Sequence, residues 1–134
     1  MLGNSYRFAT VNNTGQTLAI GAVAVKARRW NWGNPATGVR TWETTAASVY
    51  SNSATIATGT GDKSAAVANG TSAFVGGTFS ISVIAPASSS GTVSLYLQNS
   101  PDGTTFDDST TNFGTLLAVF NFTGTGTQVQ NVEI

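Results

Sequence analysis

The chain has 134 residues, of which six are Lys or Arg and six are Asp or Glu, and it contains no Cys and no His. The missing residue types exclude a disulfide framework, a thiolate nucleophile, an imidazole metal ligand and a Ser-His-Asp triad. A formal net charge of zero, with 9% charged residues, argues against the positive field that nucleic-acid-binding proteins use to attract phosphates. The 40% of hydrophobic residues are enough for a core, and the length predicts a single domain over residues 1–134.

Two segments of the chain are relevant to export and membrane insertion: its first residues and its most apolar stretch. Met1 to Arg7 has no basic run followed by a long apolar segment, so we expect no cleavable signal peptide. The most apolar stretch runs from Leu18 to Ala27 and has about half of the roughly 20 residues that a membrane-spanning helix needs. We therefore expect a soluble protein that is made in a cytoplasm and does not enter a membrane.

Short runs of Thr, Val, Ile and aromatic residues, separated by Gly, Asn and Ser, predict β-strands along the whole chain. In the first half we expect a strand, a turn, a long strand, a loop and a returning strand at residues 6–11, 12–15, 17–30, 33–40 and 41–51. Within the long strand the apolar residues change from even positions (Leu18, Ile20) to odd positions (Val23, Val25). This shift predicts a β-bulge near Gly21.

The second half contains two stretches in which apolar and polar residues alternate clearly, at 79–83 and 93–97. A period of two predicts half-buried strands, and we expect the loop at 85–91 to join them as a hairpin. The remaining predicted elements are two short strands, an Asn-Gly hairpin, a further strand and a turn before the last strand, at 54–60, 64–69, 69–70, 116–122 and 124–126.

No segment of ten or more residues shows the 3.6-residue apolar period of an amphipathic helix, so we predict almost no helix. About eight strands in one domain of this length fit two packed antiparallel sheets. The predicted fold class is therefore all-β: an antiparallel β-sandwich with a jelly-roll or another Greek-key strand order.

The segment from residue 26 to residue 42 concentrates cations and indoles. It holds four of the six cations and all three tryptophans, namely Lys26, Arg28, Arg29, Trp30, Trp32, Arg40 and Trp42. Trp30 and Trp32 are two residues apart, so they point to the same side of a strand, and a hairpin over 33–40 would bring Trp42 across from them. Three interpretations stay open: a protein-docking surface, an aromatic platform that stacks on a sugar, or a cross-strand cluster that closes the end of the sandwich beneath stacked arginines.

A second group of charges, three of the six anions, lies between residues 102 and 108, so the sequence has an acidic pole as well as a basic, aromatic one. Pro101 and Asp102-Gly103 have the composition of a tight turn. Asp102, Asp107 and Asp108 are potential calcium ligands, but they lack the spacing of a calcium loop, so we predict solvated turn carboxylates with no metal and no cofactor. Most of the six acids of the chain fall in predicted turns rather than as the facing pair of a glycosidase, and we predict a non-enzymatic protein.

The segment from Gly91 to Asp108 carries a resemblance to a known class of proteins. It contains a hydrophobic-Tyr-Leu-Gln strand, then Ser-Pro-Asp-Gly, then an aromatic-Asp pair. This order resembles a strand-turn unit of small β-sandwich virion proteins from tailed bacteriophages, and the resemblance covers roughly an eighth of the chain. It implies a non-enzymatic virion component, such as a capsid cement or decoration protein, or a piece of the tail or baseplate.

From these observations we expect a capsid decoration protein, located in the virion, that binds and stabilises the assembled shell. Its partners would be the major capsid protein or neighbouring virion proteins, and it would form a homo-oligomer, a trimer on a local threefold axis. We expect neither a nucleic-acid nor a membrane partner. The alternatives are a phage tail or baseplate component, and a carbohydrate-binding module in which Trp30, Trp32 and Trp42 stack on sugar.

Overall fold

The computed structural model describes residues 2–70, 73–106 and 114–134 of the chain. These residues form ten β-strands in two antiparallel sheets, and they contain no helix. The strands are β1 (Ser5–Asn13), β2 (Val23–Asn34), β3 (Val39–Trp42), β4 (Ala47–Ser51), β5 (Thr60–Lys63), β6 (Val67–Ala68), β7 (Gly76–Ala85), β8 (Ser90–Ser100), β9 (Thr115–Thr123) and β10 (Gly126–Glu133). The predicted all-β antiparallel β-sandwich is confirmed, with ten strands where about eight were expected.

Strands that are distant in the sequence pair in both sheets. The first sheet has the order β5-β1-β8-β9, with β6 also paired to β1, and the second has the order β10-β7-β2-β3, with β4 also paired to β2. Because β7 and β8 belong to different sheets, the loop at 85–91 crosses between the sheets, and the predicted hairpin there is wrong. The predicted Asn-Gly hairpin at 69–70 is wrong for the same reason, since β6 and β7 also lie in different sheets. Alternation reveals a buried face, but it does not identify the neighbouring strand.

The core lies between the two sheets and is filled by their inward side chains. Phe8 of β1 packs against Phe79 of β7 with ring centroids 5.8 Å apart, and Tyr6 meets the same ring edge-on at 6.5 Å. Phe120 of β9 and Leu95 of β8 are also fully buried. Each such side chain contributes about 1.5–3 kcal/mol through the removal of apolar surface from water.

The predicted long strand over 17–30 is wrong in its first part. β2 begins only at Val23, whereas Leu18 forms a single bridge to the segment before β5. Gly21 has a φ of +73°, which ends any strand geometry there. The loop is held by Asn52, whose Nδ2 donates a hydrogen bond to the carbonyl of Ala19 at 2.8 Å. The shift in apolar phase therefore marks a break between two segments and not a β-bulge.

Two other predicted boundaries also change. The returning strand over 41–51 is divided into β3, which ends at Trp42, and β4, which begins at Ala47. Residues 61–63, which lie between the two short strands predicted at 54–60 and 64–69, belong to β5 (Thr60–Lys63), which pairs with the edge of β1. Backbone hydrogen bonds to an available edge outweigh the low strand propensity of Gly61 and Asp62.

The two lateral sides of the sandwich are closed by different side chains. On one side, Gln128 and Gln130 of β10 donate from their amides to the carbonyls of Asn121 and Val119 on β9, at 2.6 and 2.9 Å. These bonds join the edge strands of the two sheets without backbone pairing between them. On the other side, β4 and β5 are the edges.

Candidate functional site

The indoles lie on the outer face of the second sheet. Along β2 the side chains of Val25 and Ala27 are fully buried between the sheets, so that the even positions from 26 to 32 face outward. The pairing of β2 with β3 places Trp42 opposite Trp30 and Arg40 opposite Trp32. The predicted juxtaposition of the three tryptophans is therefore confirmed. The arginine–tryptophan surface is defined by the outward residues Lys26, Arg28, Trp30, Trp32, Arg40 and Trp42.

The three indoles form a compact group and not a flat row. The ring centroids of Trp30 and Trp32 are 5.1 Å apart with an interplanar angle of 77°, and those of Trp30 and Trp42 are 6.4 Å apart at 51°. Trp30 is only 7% exposed, whereas Trp32 is 42% exposed. Trp30 lies beside Gly76 of β7, where a β-carbon would come within 2.9 Å of the indole nitrogen. Trp30 thus forms the buried base of the surface, and Trp32 is an exposed indole above it.

Two arginines of this surface are stacked on the indoles. The guanidinium carbon of Arg40 lies 4.3 Å from the centroid of Trp30 and 5.9 Å from that of Trp32. Arg28 lies 5.9 Å from the ring of Trp42, and its Nε donates to the backbone carbonyl of Glu43 at 2.8 Å. Stacking on an aromatic face restricts a guanidinium while its N–H groups remain able to donate.

The same stacking occurs at every arginine in the chain. Arg7 lies over Phe106 at 4.2 Å, Arg28 over Trp42 at 5.9 Å, Arg29 over Phe74 at 4.5 Å and Arg40 over Trp30 at 4.3 Å. Cation–π contacts of significant energy occur roughly once per 70–80 residues in proteins, so a chain of this length would have about two. The chain therefore concentrates its guanidinium groups on aromatic supports.

Arg29 differs from its neighbours because it faces inward. It continues the odd positions of β2, and it closes the end of the core with Glu43 and Tyr6. Its Nε and NH2 groups donate to the Glu43 carboxylate at 2.8 and 2.5 Å, and NH1 donates to the Tyr6 hydroxyl at 3.0 Å. These hydrogen bonds raise the pKa of Arg29 above its usual range, and the bond from Arg29 lowers the pKa of Glu43. Arg29 thus links the sheets and does not belong to the arginine–tryptophan surface.

Asp102 caps a turn, as its sequence context predicts. Its carboxylate accepts hydrogen bonds from the Ser100 hydroxyl at 2.8 Å, from the amides of Thr104 and Thr105 at 2.9 and 2.7 Å, and from the Thr105 hydroxyl at 2.8 Å. The two amide bonds are the main cause of a strongly lowered pKa at Asp102. Asp107 and Asp108 lie outside the described residues. Within the described ranges, no group of three or more His, Cys, Asp and Glu is placed to hold a metal ion.

The acidic turn and the arginine–tryptophan surface lie at the same end of the sandwich. Ser5, at the start of β1, pairs with Ser100, two residues before Asp102. Tyr6 follows Ser5, and its hydroxyl accepts the hydrogen bond from Arg29 of β2. Asp102 and the arginine–tryptophan surface are therefore on different sheets but at one end, where the loops 35–38, 43–46 and 101–106 also lie.

An open groove separates β4 from β5 and β6. It has a volume of about 380 Å³, and small residues such as Ser48, Ser53 and Ala65 are among those that line it. Its acid is Asp62, which accepts a hydrogen bond from the Tyr50 hydroxyl at 2.7 Å. Burial is the main cause of the raised pKa of Tyr50, and the bond to Asp62 raises it further. Among the described residues that line the groove, Asp62 is the acid, and its carboxylate already accepts the hydrogen bond from Tyr50.

Comparisons with protein-family models, with curated proteins and with solved structures each gave no match. Across the part of the chain that the structure describes, no helix is long and apolar enough to cross a membrane. We therefore infer the function of the protein from the geometry of the arginine–tryptophan surface and from the resemblance in residues 91–108.

Proposed function

We propose that the protein is a non-enzymatic virion component of a tailed bacteriophage, a capsid decoration protein that binds the assembled shell through its arginine–tryptophan surface. The observation that carries this proposal is the combination of Trp32, 42% exposed, with guanidinium groups already stacked on indoles. Trp and Arg dominate the energetics of protein interfaces. Restricting them before binding reduces the side-chain entropy that association costs.

The shape of the surface favours protein docking over sugar binding. A sugar platform needs accessible rings in a common plane, but the indoles of Trp32 and Trp42 are tilted by 77° and 51° from that of Trp30. Arg40 covers Trp30, whose side chain is almost completely buried. Trp32 and Arg40 therefore form a protrusion, and a protrusion of this kind fits a pocket between protein subunits.

Docking of this kind has a direct consequence for shell stability. A protein that binds only the assembled shell shifts the equilibrium toward assembly, by about 2.7 kcal/mol per site at a free concentration of 100 times its Kd. A homo-oligomer on a local symmetry axis would contact several shell subunits at once and add avidity. No chemical step is needed for this role.

Purified virions of the phage that encodes the chain provide the test. Mass spectrometry of these particles should detect the chain at a constant ratio to the major capsid protein, and immunogold labelling should mark the shell. Particles without the chain should release their genome at a lower temperature. Labelling confined to the tail would support the tail or baseplate alternative, and absence of the chain from the particles would contradict the virion assignment.

A further inference from the structure

The arginine–tryptophan surface carries three cations that lack an acidic partner. Among the described residues, no carboxylate lies within ion-pair distance of Lys26, Arg28 or Arg40, whereas Glu43 is held by Arg29. The acid that shares this face is Glu133, on the far side of Thr78 from Arg28. Two strand spacings, about 9.6 Å, separate Glu133 from Arg28. The face is therefore locally positive although the whole chain is neutral.

The spacing of two of these cations is that of alternate residues on a strand. Lys26 and Arg28 are two positions apart on β2 and both face outward, so their α-carbons are separated by about 7 Å. An extended polypeptide with acids at every second residue repeats its carboxylates at the same interval. Such a segment can place one carboxylate on each cation without bending.

The side chains around Lys26 and Arg28 are short, so a partner segment can approach these cations closely. The neighbours of Lys26 across the sheet are Ser80 on β7 and Ser48 on β4, and the neighbour of Arg28 on β7 is Thr78. These hydroxyl side chains are short, and they can donate hydrogen bonds to carboxylate oxygens. The apolar part of the surface follows at the end of β2, where Trp32 is 42% exposed.

We propose that the partner segment recognised by this surface is an extended, acidic stretch of protein in which carboxylates alternate with small uncharged residues, followed by an apolar residue that contacts Trp32. This inference rests on the proposed docking function and names the chemistry of its partner. Guanidinium groups bind carboxylates through two parallel hydrogen bonds, which gives geometric as well as electrostatic selectivity. Nucleic acid is disfavoured because the two remaining cations, Arg7 and Lys63, lie on the other sheet and do not extend the positive face.

The probe is a fluorescein-labelled peptide of sequence Glu-Ser-Glu-Ser-Glu-Ser-Leu, titrated with the full chain and followed by fluorescence anisotropy. In the extended peptide the Leu side chain lies on the same side as the Glu side chains, as Trp32 does relative to Lys26 and Arg28. Binding should weaken about tenfold when the salt concentration is raised from about 50 to about 300 mM, because exposed charges are screened. The double variant Lys26→Gln/Arg28→Gln should bind at least about tenfold more weakly. The variant Lys63→Gln is the matched control, because it removes a cation from the first sheet, and it should bind like the unmodified chain.

Two further probes separate the possible partners. A peptide with Gln at each Glu position should not bind, and a labelled oligothymidine should bind more weakly than the acidic peptide. Equal binding of the acidic and the Gln peptides, no binding of either at about 1 mM of the chain, or tighter binding of the oligothymidine would overturn the inference. A chain that is present in virions but fails to bind the acidic peptide would retain the docking function and lose only the acidic partner. Circular dichroism checks that each variant is folded.

Discussion

At the scale of single residues, Arg29 and Glu43 determine how the end of the core is closed. Arg29 brings a charge to an inward position of β2, and this is tolerated because Glu43, Tyr6 and the ring of Phe74 surround its guanidinium. An ion pair this close to the core needs nearly all of its hydrogen bonds to offset desolvation. The pair holds the Arg29 guanidinium in place, and the hydrogen bond from Arg29 to Tyr6 of β1 links the two sheets at the end where the arginine–tryptophan surface lies.

The Glu43 carboxylate should make the stability of the chain depend on acid pH. Its pKa in the folded state is below the ordinary value of 4.5, so its contribution is present above that value and is lost as the pH falls through the folded pKa. The variant Glu43→Gln should lower the free energy of unfolding by about 1 kcal/mol at pH 7. The difference from the unmodified chain should disappear in urea titrations at about pH 2.

The control for this prediction is Glu133→Gln, which removes an exposed carboxylate from β10 and should change the free energy of unfolding at pH 7 by less than about 0.5 kcal/mol. Asp102 also has a lowered pKa, but it acts in both chains and cancels in the comparison. A constant difference between Glu43→Gln and the unmodified chain over the whole pH range would show that the carboxylate charge does not stabilise the fold.

The placement of Arg29 was partly readable from the sequence. Its odd position continues the series of Val23, Val25 and Ala27, which predicts an inward side chain, whereas Trp30 and Trp32 share the even phase. Arg29 was nevertheless included in the predicted docking surface, because it lies between Arg28 and Trp30 in the chain. The burial of Trp30 could not be predicted, because it depends on the pairing of Trp30 with Gly76. These two residues are 46 positions apart in the chain.

At the scale of elements, the two lateral sides of the sandwich differ in how side chains cover their edge strands. The carbonyls of Asn121 and Val119 on β9 accept hydrogen bonds from Gln128 and Gln130 of β10. Exposed edge strands present unpaired backbone groups that promote association between molecules. The two glutamines occupy these groups within the molecule and therefore protect one side of the sandwich.

The double variant Gln128→Ala/Gln130→Ala should lose this protection. Each lost hydrogen bond should reduce the free energy of unfolding by about 1 kcal/mol, measured by urea denaturation. The freed carbonyls should also cause association that increases with protein concentration, measured by light scattering after size exclusion. The matched control is Thr127→Ala/Asn131→Ala, which changes the opposite face of β10. Equal stability and equal mass in both double variants would contradict the protective role.

Local sequence patterns predicted which segments form strands better than how those strands pair. The alternation at 79–83 and 93–97 identified β7 and β8, but their assignment to different sheets depends on long-range packing. The segment 60–63 has few strand-forming residues and becomes β5 only because β1 offers an edge. Asn52, which organises the loop before β2, gave no signal in the sequence, because its amide bonds Ala19 and Val23, which lie 33 and 29 positions away along the chain.

At the scale of the whole molecule, one end of the sandwich carries most of the distinctive chemistry. All four arginines, the three tryptophans and the Asp102 turn gather there, while Ile20 and Ile84 lie toward the other end. A molecule with zero net charge thus has a local positive face that is suited to one orientation of docking. This arrangement is why we interpret the protein as an assembly component.

The occupancy of virions by the variant Trp32→Ala tests this interpretation most directly. Trp32 is accessible and lies outside the core, so its replacement should leave the fold intact by circular dichroism. The copy number on purified particles should fall at least about tenfold relative to the unmodified chain. The control Ile20→Ala, which removes an exposed side chain near the opposite end, should keep full occupancy. Equal occupancy of Trp32→Ala and Ile20→Ala would contradict docking through the arginine–tryptophan surface.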